Sequence, residues 1–303
     1  ANDGYMASII AVDINGTGGG TSTAAPHRRD VYQPTQRMVA EAEDAVSASN
    51  NISDSIEWIY PFNGKTYGLS NGSRFYESVS AFGSTWGLEF ATSSSTGGGG
   101  LLPFGSNMYY GQNTVLGQYN GTASNHNFAT FNSATAGPRP MAVIAGRLAI
   151  GNQRNIATLD SDETTFNATR LQLPIGYVVR SLELWNNFLA IAADFTPPSA
   201  GQPISSRLFL WNGTAATYTD SLELPFTSAP LLITNNNLLW IIGSDTASNM
   251  SIHAFNGSAL QQAFFYPNTV PHGIGSRTRF QGNILFGVNG RVPSANGGVW
   301  MIG

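Results

Sequence analysis

Carboxylates are the side chains that could perform acid–base chemistry or bind a metal ion, and this chain has only 18 of them in 303 residues. The densest group is Asp-Ser-Asp-Glu at Asp160–Glu163, whose oxygens would suit Ca²⁺, although the stretch lacks the glycine and the spaced final glutamate of an EF-hand loop. A glycosidase would need two carboxylates facing each other across a cleft. No spacing selects such a pair from the three candidates, Glu57, Asp194 and Asp245.

Nucleophilic, metal-binding and phosphate-binding motifs are absent from the sequence. The chain has no cysteine, which excludes disulfides, thiol catalysis and thiolate metal sites. Its four histidines lack metal-ligand spacing, and the glycine run Gly97–Gly100 lacks the lysine and helix of a phosphate-binding loop. We therefore expect a non-enzymatic protein without metal or cofactor.

The charge composition excludes further classes of function. Charged residues make up 11% of the chain, against roughly 25% in soluble domains, and the net charge is −4. No basic cluster is longer than Arg28-Arg29, so a nucleic-acid surface is not expected. No apolar run approaches the ~20 residues of a membrane-spanning helix. A surface of Ser, Thr, Asn and Gly favours a virion or extracellular location.

The elements that would position any site follow from a repeat. Two short apolar runs separated by a polar or glycine pair are typical of β-strands joined by a tight turn. This pattern occurs six times, at intervals of 40 to 50 residues. The six pairs are Gly64-Lys65, Ser106-Asn107, Gly146-Arg147, Asn186-Asn187, Asn236-Asn237 and Gly282-Asn283.

A second series of turns has the same period. An aromatic-Asn-Gly triplet follows the third apolar run in three repeats, and Asn-Gly favours a two-residue type I′ hairpin with positive φ at both positions. In another repeat, the distance to the following Leu-x-Leu-Pro segment puts Ser161-Asp162 in this turn. We therefore interpret Asp160–Glu163 as a hairpin turn rather than a calcium site. The triplets are Tyr119-Asn120-Gly121, Trp211-Asn212-Gly213 and Phe255-Asn256-Gly257.

Four short strands in about 40–45 residues correspond to one blade of a β-propeller. A single blade cannot bury both of its faces, and radial stacking against two neighbours covers them. We predict an all-β propeller of about six four-stranded blades over residues 56–303. Seven blades or an incomplete propeller are the alternatives.

The repeat also resembles a known class of module. Its consensus is an apolar strand, a Gly or Asn turn, an apolar strand ending in glycine, and an aromatic-Asn-Gly turn. This resembles propeller modules of bacteriophage tail and other virion proteins. The Gly-His and Trp-Asp marks of WD40 blades are absent, and Gly83-Ser84-Thr85-Trp86 matches only the end of the sialidase box, without its aspartate. The resemblance implies a virion component.

Residues 1–55 are interpreted as an N-terminal arm. A Gly/Ser/Thr linker covers Gly16–Ala25, and a short helix is predicted over Thr35–Val46. Because the sixth repeat contains only three strands, Ala7–Asp13 is predicted to supply the fourth and close the ring. Alternatively, this run pairs within an assembly, or the natural chain continues beyond Gly303.

Propeller connectivity divides the loops between two faces of the ring. The tight first-to-second and third-to-fourth turns share one face, and the remaining loops form the opposite one, here named the long-loop face. The expected long insertions there are Asp194–Ser206 and Asn289–Gly297. Long loops on a rigid scaffold often bind ligands, although ordinary solvated polarity is the alternative. The candidate ligand-binding residues are Arg154, Asp194, Asp245, His272 and Arg291.

Three functional hypotheses follow. The first is a structural or adhesive protein of a virion or extracellular assembly, whose partners are other subunits. The second is a glycan-binding propeller that contacts a host-surface glycan or receptor through the long-loop face. The third is a glycoside hydrolase or lyase with convergent carboxylates at the ring centre.

Overall fold

The structure, a computed structural model, is a six-bladed β-propeller. It describes residues 9–10, 28–29, 56–70, 74–78, 86–91, 99–134, 139–197, 204–271, 277–280, 282–290 and 298–302. Every regular element within these ranges is a strand, and six four-stranded antiparallel sheets follow one another along the chain. The predicted fold class and blade number are therefore confirmed. No helix in the described ranges is long and apolar enough to cross a membrane.

A short two-stranded sheet, β1 (Ile9–Ile10) with β2 (Arg28–Arg29), precedes the blades. Blade 1 consists of β3 (Ile56–Phe62), β4 (Lys65–Ser70), β5 (Arg74–Ser78) and β6 (Trp86–Ala91). Blade 2 consists of β7 (Leu101–Phe104), β8 (Asn107–Gly111), β9 (Val115–Tyr119) and β10 (Ser124–Thr130). Blade 3 consists of β11 (Met141–Ile144), β12 (Arg147–Asn152), β13 (Asn155–Leu159) and β14 (Phe166–Gln172).

The second half of the ring continues this order. Blade 4 consists of β15 (Tyr177–Trp185), β16 (Phe188–Phe195), β17 (Ser205–Trp211) and β18 (Asp220–Leu224). Blade 5 consists of β19 (Ser228–Asn235), β20 (Leu238–Ser244), β21 (Met250–Phe255) and β22 (Leu260–Tyr266). In blade 6, β23 (Thr269–Pro271) and β24 (Arg277–Phe280) pair with one edge of β25 (Asn283–Gly290), and β26 (Gly298–Ile302) pairs with the other.

The first-to-second turns are tight, as predicted, but several begin one residue earlier than the sequence pairs suggested. Asn186-Asn187 and Asn236-Asn237 have positive φ at both positions, which matches the twist of the flanking strands. Lys65, Asn107, Arg147 and Asn283 instead begin second strands. The residues with positive φ lie just before these strands, so the turns occupy those earlier positions: Asn63, Gly64, Gly105, Ala145, Gly146 and Gly282.

The Asn-Gly turns between third and fourth strands are not the predicted type I′ hairpins. Only the glycine has positive φ, and the asparagine side chain instead caps a longer loop. Asn256 Oδ1 accepts hydrogen bonds from the backbone N–H groups of Ser258 and Ala259, each at 2.9 Å. Asn120 and Asn212 cap their loops in the same way. The asparagine thus mimics a backbone acceptor, as expected for an Asx turn.

The last blade meets the first through side-chain packing. One buried cluster contains residues from blades 1, 2, 5 and 6, including Trp58, Tyr110, Ile252 and Phe286. This cluster joins the two ends of the ring and buries the faces that a single blade would expose.

The predicted closing strand is described only in part. Ile9–Ile10 lies beside β26 but forms its strand pairing with Arg28–Arg29. The rest of Ala7–Asp13, the linker and the predicted helix over Thr35–Val46 lie outside the described residues. Closure by the arm therefore stays a prediction.

Candidate functional site

A cavity of about 360 Å³ lies at the centre of the ring, where the first strands of all six blades meet. We name it the central cavity. Most of the residues in its lining are apolar, including Trp58, Leu102, Met141, Val143, Leu184 and Ile233, but polar and apolar atoms contribute about equally to the exposed wall. Its volume is in the range of small-molecule sites, and its lining combines apolar residues with a few charged ones.

The charged part of the wall is an ion-pair cluster between blades 4 and 6. Glu183 lies on β15, and its Oε1 accepts a hydrogen bond of 3.0 Å from Nη2 of Arg279 on β24. Nη2 of Arg277, two residues earlier on the same strand, lies 3.7 Å from Glu183 Oε2. Two guanidinium groups thus share one carboxylate, which leaves an excess of one positive charge.

The strand between these blades is part of the cluster. The backbone N–H of Thr234 on β19 donates to Glu183 Oε1 at 3.0 Å. Arg277 reaches across to blade 4, where it donates to Ser181 Oγ and to the carbonyl oxygen of Leu182, both at 2.8 Å. The cluster therefore connects blades 4, 5 and 6 at the cavity wall. The hydrogen bonds of Arg277 fix its side chain in that wall.

Exposure differs between the members of the cluster. The side chains of Arg277 and Glu183 are only 13% and 14% exposed, whereas that of Arg279 is 55% exposed. Arg279 is therefore the member of the cluster that is accessible to a ligand. Tyr60 shares this environment: burial raises its pKa, Arg277 acts to lower it and Glu183 to raise it, so its hydroxyl stays protonated at neutral pH.

The chemistry that this wall could perform is limited. Among the described residues that line the cavity, Glu183 is the one carboxylate, and it is neutralised by arginines. A glycosidase mechanism needs two facing carboxylates. In the described part of the chain, no three His, Cys, Asp or Glu side chains come together as a metal site would require. The cavity is therefore suited to binding, and its described residues offer no acid–base pair.

Asp194 is not in a long loop, as the sequence suggested, but within β16. It is only 6% exposed and accepts hydrogen bonds of 3.0 Å from Arg180 Nε and Ser206 Oγ. Arg180 lies where the register between β15 and β16 shifts, so a bulge turns its side chain towards Asp194. The long loop is correspondingly shorter, because β16 extends to Phe195 and β17 begins at Ser205.

Asp245 and Arg154 do lie in turns between second and third strands. Asp245 closes its own turn by accepting hydrogen bonds from the backbone N–H and side-chain amide of Asn249, at 2.8 and 2.9 Å. These bonds lower the pKa of Asp245, the backbone bond most. Arg154 is half-buried, and its carbonyl oxygen accepts a hydrogen bond from Leu173. Neither residue lines the central cavity.

Two other candidates, His272 and Arg291, lie outside the described residues, as does the side chain of Glu57. The predicted insertion Asn289–Gly297 is shorter than expected, since β25 extends to Gly290. The hairpin interpretation of Asp160–Glu163 is confirmed, although Asp162 and not Ser161 takes the capping position.

The sequence reasoning missed Glu183, Arg277 and Arg279 because they belong to strands and not to loops. A local signal was present, since each places a charge in the first strand of a repeat. A charged residue in an inner strand must face either a partner or the cavity.

Comparison with known proteins shows the fold but no family. No protein-family model and no curated protein matches the chain. The chain is similar to the computationally designed Ika8 protein, with a TM-score of 0.51, 10% identity, and 80% of this chain and 83% of that chain covered. It is also similar to the extracellular domain of a hybrid two-component system from B. thetaiotaomicron, with a TM-score of 0.58 and 13% identity. There, 82% of this chain matches 32% of that chain.

Proposed function

We propose that this chain is a non-enzymatic structural or adhesive protein of a virion or other extracellular assembly, and that it acts by binding other copies of itself. The observation that carries the proposal is an exposed apolar surface on the long-loop face of blade 4. We name it the blade 4 patch, and it consists of Ile175, Tyr177, Phe195 and Ile204.

Phe195 lies between the chain neighbours of the two isoleucines of the patch. Gly176, the neighbour of Ile175, is packed so closely on the Phe195 ring that a Cβ there would collide with it. On the other side, Phe195 is the strand partner of Ser205, which follows Ile204. The Tyr177 and Phe195 rings lie 5.2 Å apart, so the apolar core of blade 4 continues to the surface.

The exposure of the patch is large for apolar side chains. Ile175 is 75% exposed and Ile204 is 51% exposed. Fully burying an isoleucine contributes roughly 1.5–3 kcal/mol, so covering both would stabilise an interface. Contiguous exposed apolar surface commonly marks a protein–protein contact. The low charge of the chain and the resemblance of its repeat to virion propeller modules support an assembly of this kind.

We expect the purified chain to form an oligomer, and the double substitution Ile175→Asp/Ile204→Asp to dissociate it. Two carboxylates in a buried interface would be desolvated without partners. Size-exclusion chromatography with light scattering would measure the mass of both proteins, and circular dichroism would check that the variant is folded. The matched control is Leu88→Asp, because Leu88 is 57% exposed but lies on the outer strand of blade 1. A monomeric wild type, or a double variant that keeps the wild-type mass, would contradict the proposal.

Glycan binding by the same face is the second candidate, because the half-buried aromatic pair Tyr177 and Phe195 could stack on a sugar ring. A glycan array distinguishes the two proposals. Specific binding that is lost in Phe195→Ala, with no oligomer of the wild type, would favour the glycan-binding alternative.

A further inference from the structure

The central cavity is separate from the blade 4 patch, and its wall contains a cationic side chain with unused N–H donors. Arg279 uses Nη2 for Glu183, and no hydrogen bond joins its Nε or Nη1 groups to the described residues. Its side chain is 55% exposed and lines the cavity. Nη2 carries two N–H groups, and the one that Glu183 does not use can form a planar fork for a carboxylate with the neighbouring Nε or Nη1 group.

The charge of the wall favours a single negative charge on the ligand. Arg277 and Arg279 carry two positive charges, and Glu183 carries the one negative charge among the described lining residues. Arg277 is already held by Ser181 and Leu182. One ligand carboxylate would therefore neutralise the excess charge at Arg279, whereas a dianion would reverse the charge of the wall.

The shape of the cavity favours a ligand with an elongated apolar part attached to its charged group. Its lining runs along the inner strands from the level of Trp58 and Pro140 to the level of Pro103 and Arg279. These levels are separated by about three residues of strand, or about 10 Å. This length corresponds to a straight chain of about eight carbons, and the wall beside it is formed by side chains such as Leu102 and Val143.

We propose that the central cavity binds a small organic monocarboxylate, with its carboxylate on Arg279 and its apolar body along the wall of the inner strands. The site does not depend on the proposed assembly, since its residues come from the first strands of the blades and not from the long loops.

Isothermal titration calorimetry of the full chain with octanoate and with its neutral counterpart octanamide tests the charge and the apolar body separately. We expect octanoate to bind at least about tenfold more tightly than octanamide, because a charge-assisted bidentate pair is stronger than a neutral one. We also expect this preference to fall as salt is added, because the Arg279 end of the cavity is open to solvent. Equal binding of acid and amide, or no binding of either, would overturn the proposal.

Two substitutions should move octanoate affinity in opposite directions. Arg279→Gln removes the free charge at an exposed position and should weaken octanoate to the affinity of octanamide. Glu183→Gln removes the competing carboxylate and should strengthen octanoate by several fold relative to octanamide. The matched control is Arg147→Gln, since Arg147 is also ion-paired, to Asp160 at 2.6 Å, but does not line the cavity. Wild-type octanoate affinity in Arg279→Gln would overturn the assignment of the carboxylate to Arg279.

Discussion

Replacing Arg139 by methionine should lower the free energy of unfolding by about 3–5 kcal/mol, the largest single-residue effect that we expect in this protein. Arg139 is completely buried between blades 2 and 3, and its guanidinium donates only to neutral acceptors. Nε donates to the carbonyl oxygen of Gln112 and Nη1 to Asn152 Oδ1, both at 2.7 Å. Nη2 donates to the carbonyl oxygens of Asn113 and Ser133.

The size of the effect follows from the interactions of Arg139 that methionine cannot replace. It fills much of the volume but donates no hydrogen bond, so two buried and two partly buried acceptors would lose their partner. It would also lose the cation–π contact with Phe131, whose ring centre lies 3.9 Å from the guanidinium carbon. Burial lowers the pKa of Arg139 to about 9, so at neutral pH the group is still charged and its donors remain in use.

Urea unfolding of the wild type, Arg139→Met and Arg139→Lys would measure the effect. Lysine keeps the charge but offers a single ammonium group in place of the planar fork, so we expect an intermediate loss. The matched control is Arg154→Met, because Arg154 is a half-buried arginine of blade 3 whose side chain forms no hydrogen bond or ion pair with the described residues. We expect that control to stay within about 0.5 kcal/mol of the wild type. A loss in Arg139→Met no larger than in the control would show that the buried guanidinium does not hold the two blades together.

Substitution of Glu163 by alanine should destabilise the protein by about 1–3 kcal/mol, because Glu163 joins blade 3 to blade 2. One carboxylate oxygen accepts hydrogen bonds from the backbone N–H and hydroxyl of Ser106, at 2.8 and 3.1 Å. The other accepts from Asn107 Nδ2 at 2.6 Å and from the Tyr109 hydroxyl at 2.9 Å. The lower part of the range allows for solvent screening of this half-exposed side chain.

The effect should depend on pH. Burial acts to raise the pKa of Glu163, but the hydrogen bonds from Asn107, Ser106 and Tyr109 outweigh it, so the pKa is lowered. A lowered folded-state pKa means that the stabilisation is fully present above the unfolded-state pKa of about 4.3 and is lost as the pH falls through the folded-state pKa. The stability difference between wild type and Glu163→Gln should therefore shrink in acid. A difference that stays constant from neutral pH into this range would contradict the linkage.

A glycine at the same position distinguishes the stability contribution of the Glu163 side chain from the cost of its backbone conformation. Glu163 has a φ of 54°, in the left-handed region, and occupies the loop position that glycine takes in the Asn-Gly loops. Glu163→Gly should therefore lose the same hydrogen bonds as Glu163→Ala but relieve the backbone, and so should unfold less easily than the alanine variant. Equal stability of the two variants would mean that the left-handed backbone carries no cost here.

The number of blades and the positions of most turns could be predicted from the sequence because both depend on local chemistry. Apolar alternation defines a strand within a few residues, and Asn186-Asn187 can adopt positive φ without help from distant residues. The Asn-Gly loops show the limit of this reasoning. The pair marked the correct position, but the side-chain oxygen of asparagine competed successfully with the type I′ geometry.

What only the tertiary structure decided is which polar side chains meet. The sequence alone determined a six-bladed all-β ring with low charge and no catalytic motif. It placed Asp194 in a loop, whereas a bulge at Arg180 makes it a buried ion-pair partner. It gave no reason to connect Glu183 with Arg279, which is 96 residues away along the chain. Closing the ring brings their strands to one wall, because radial stacking turns the first strand of every blade towards the same centre.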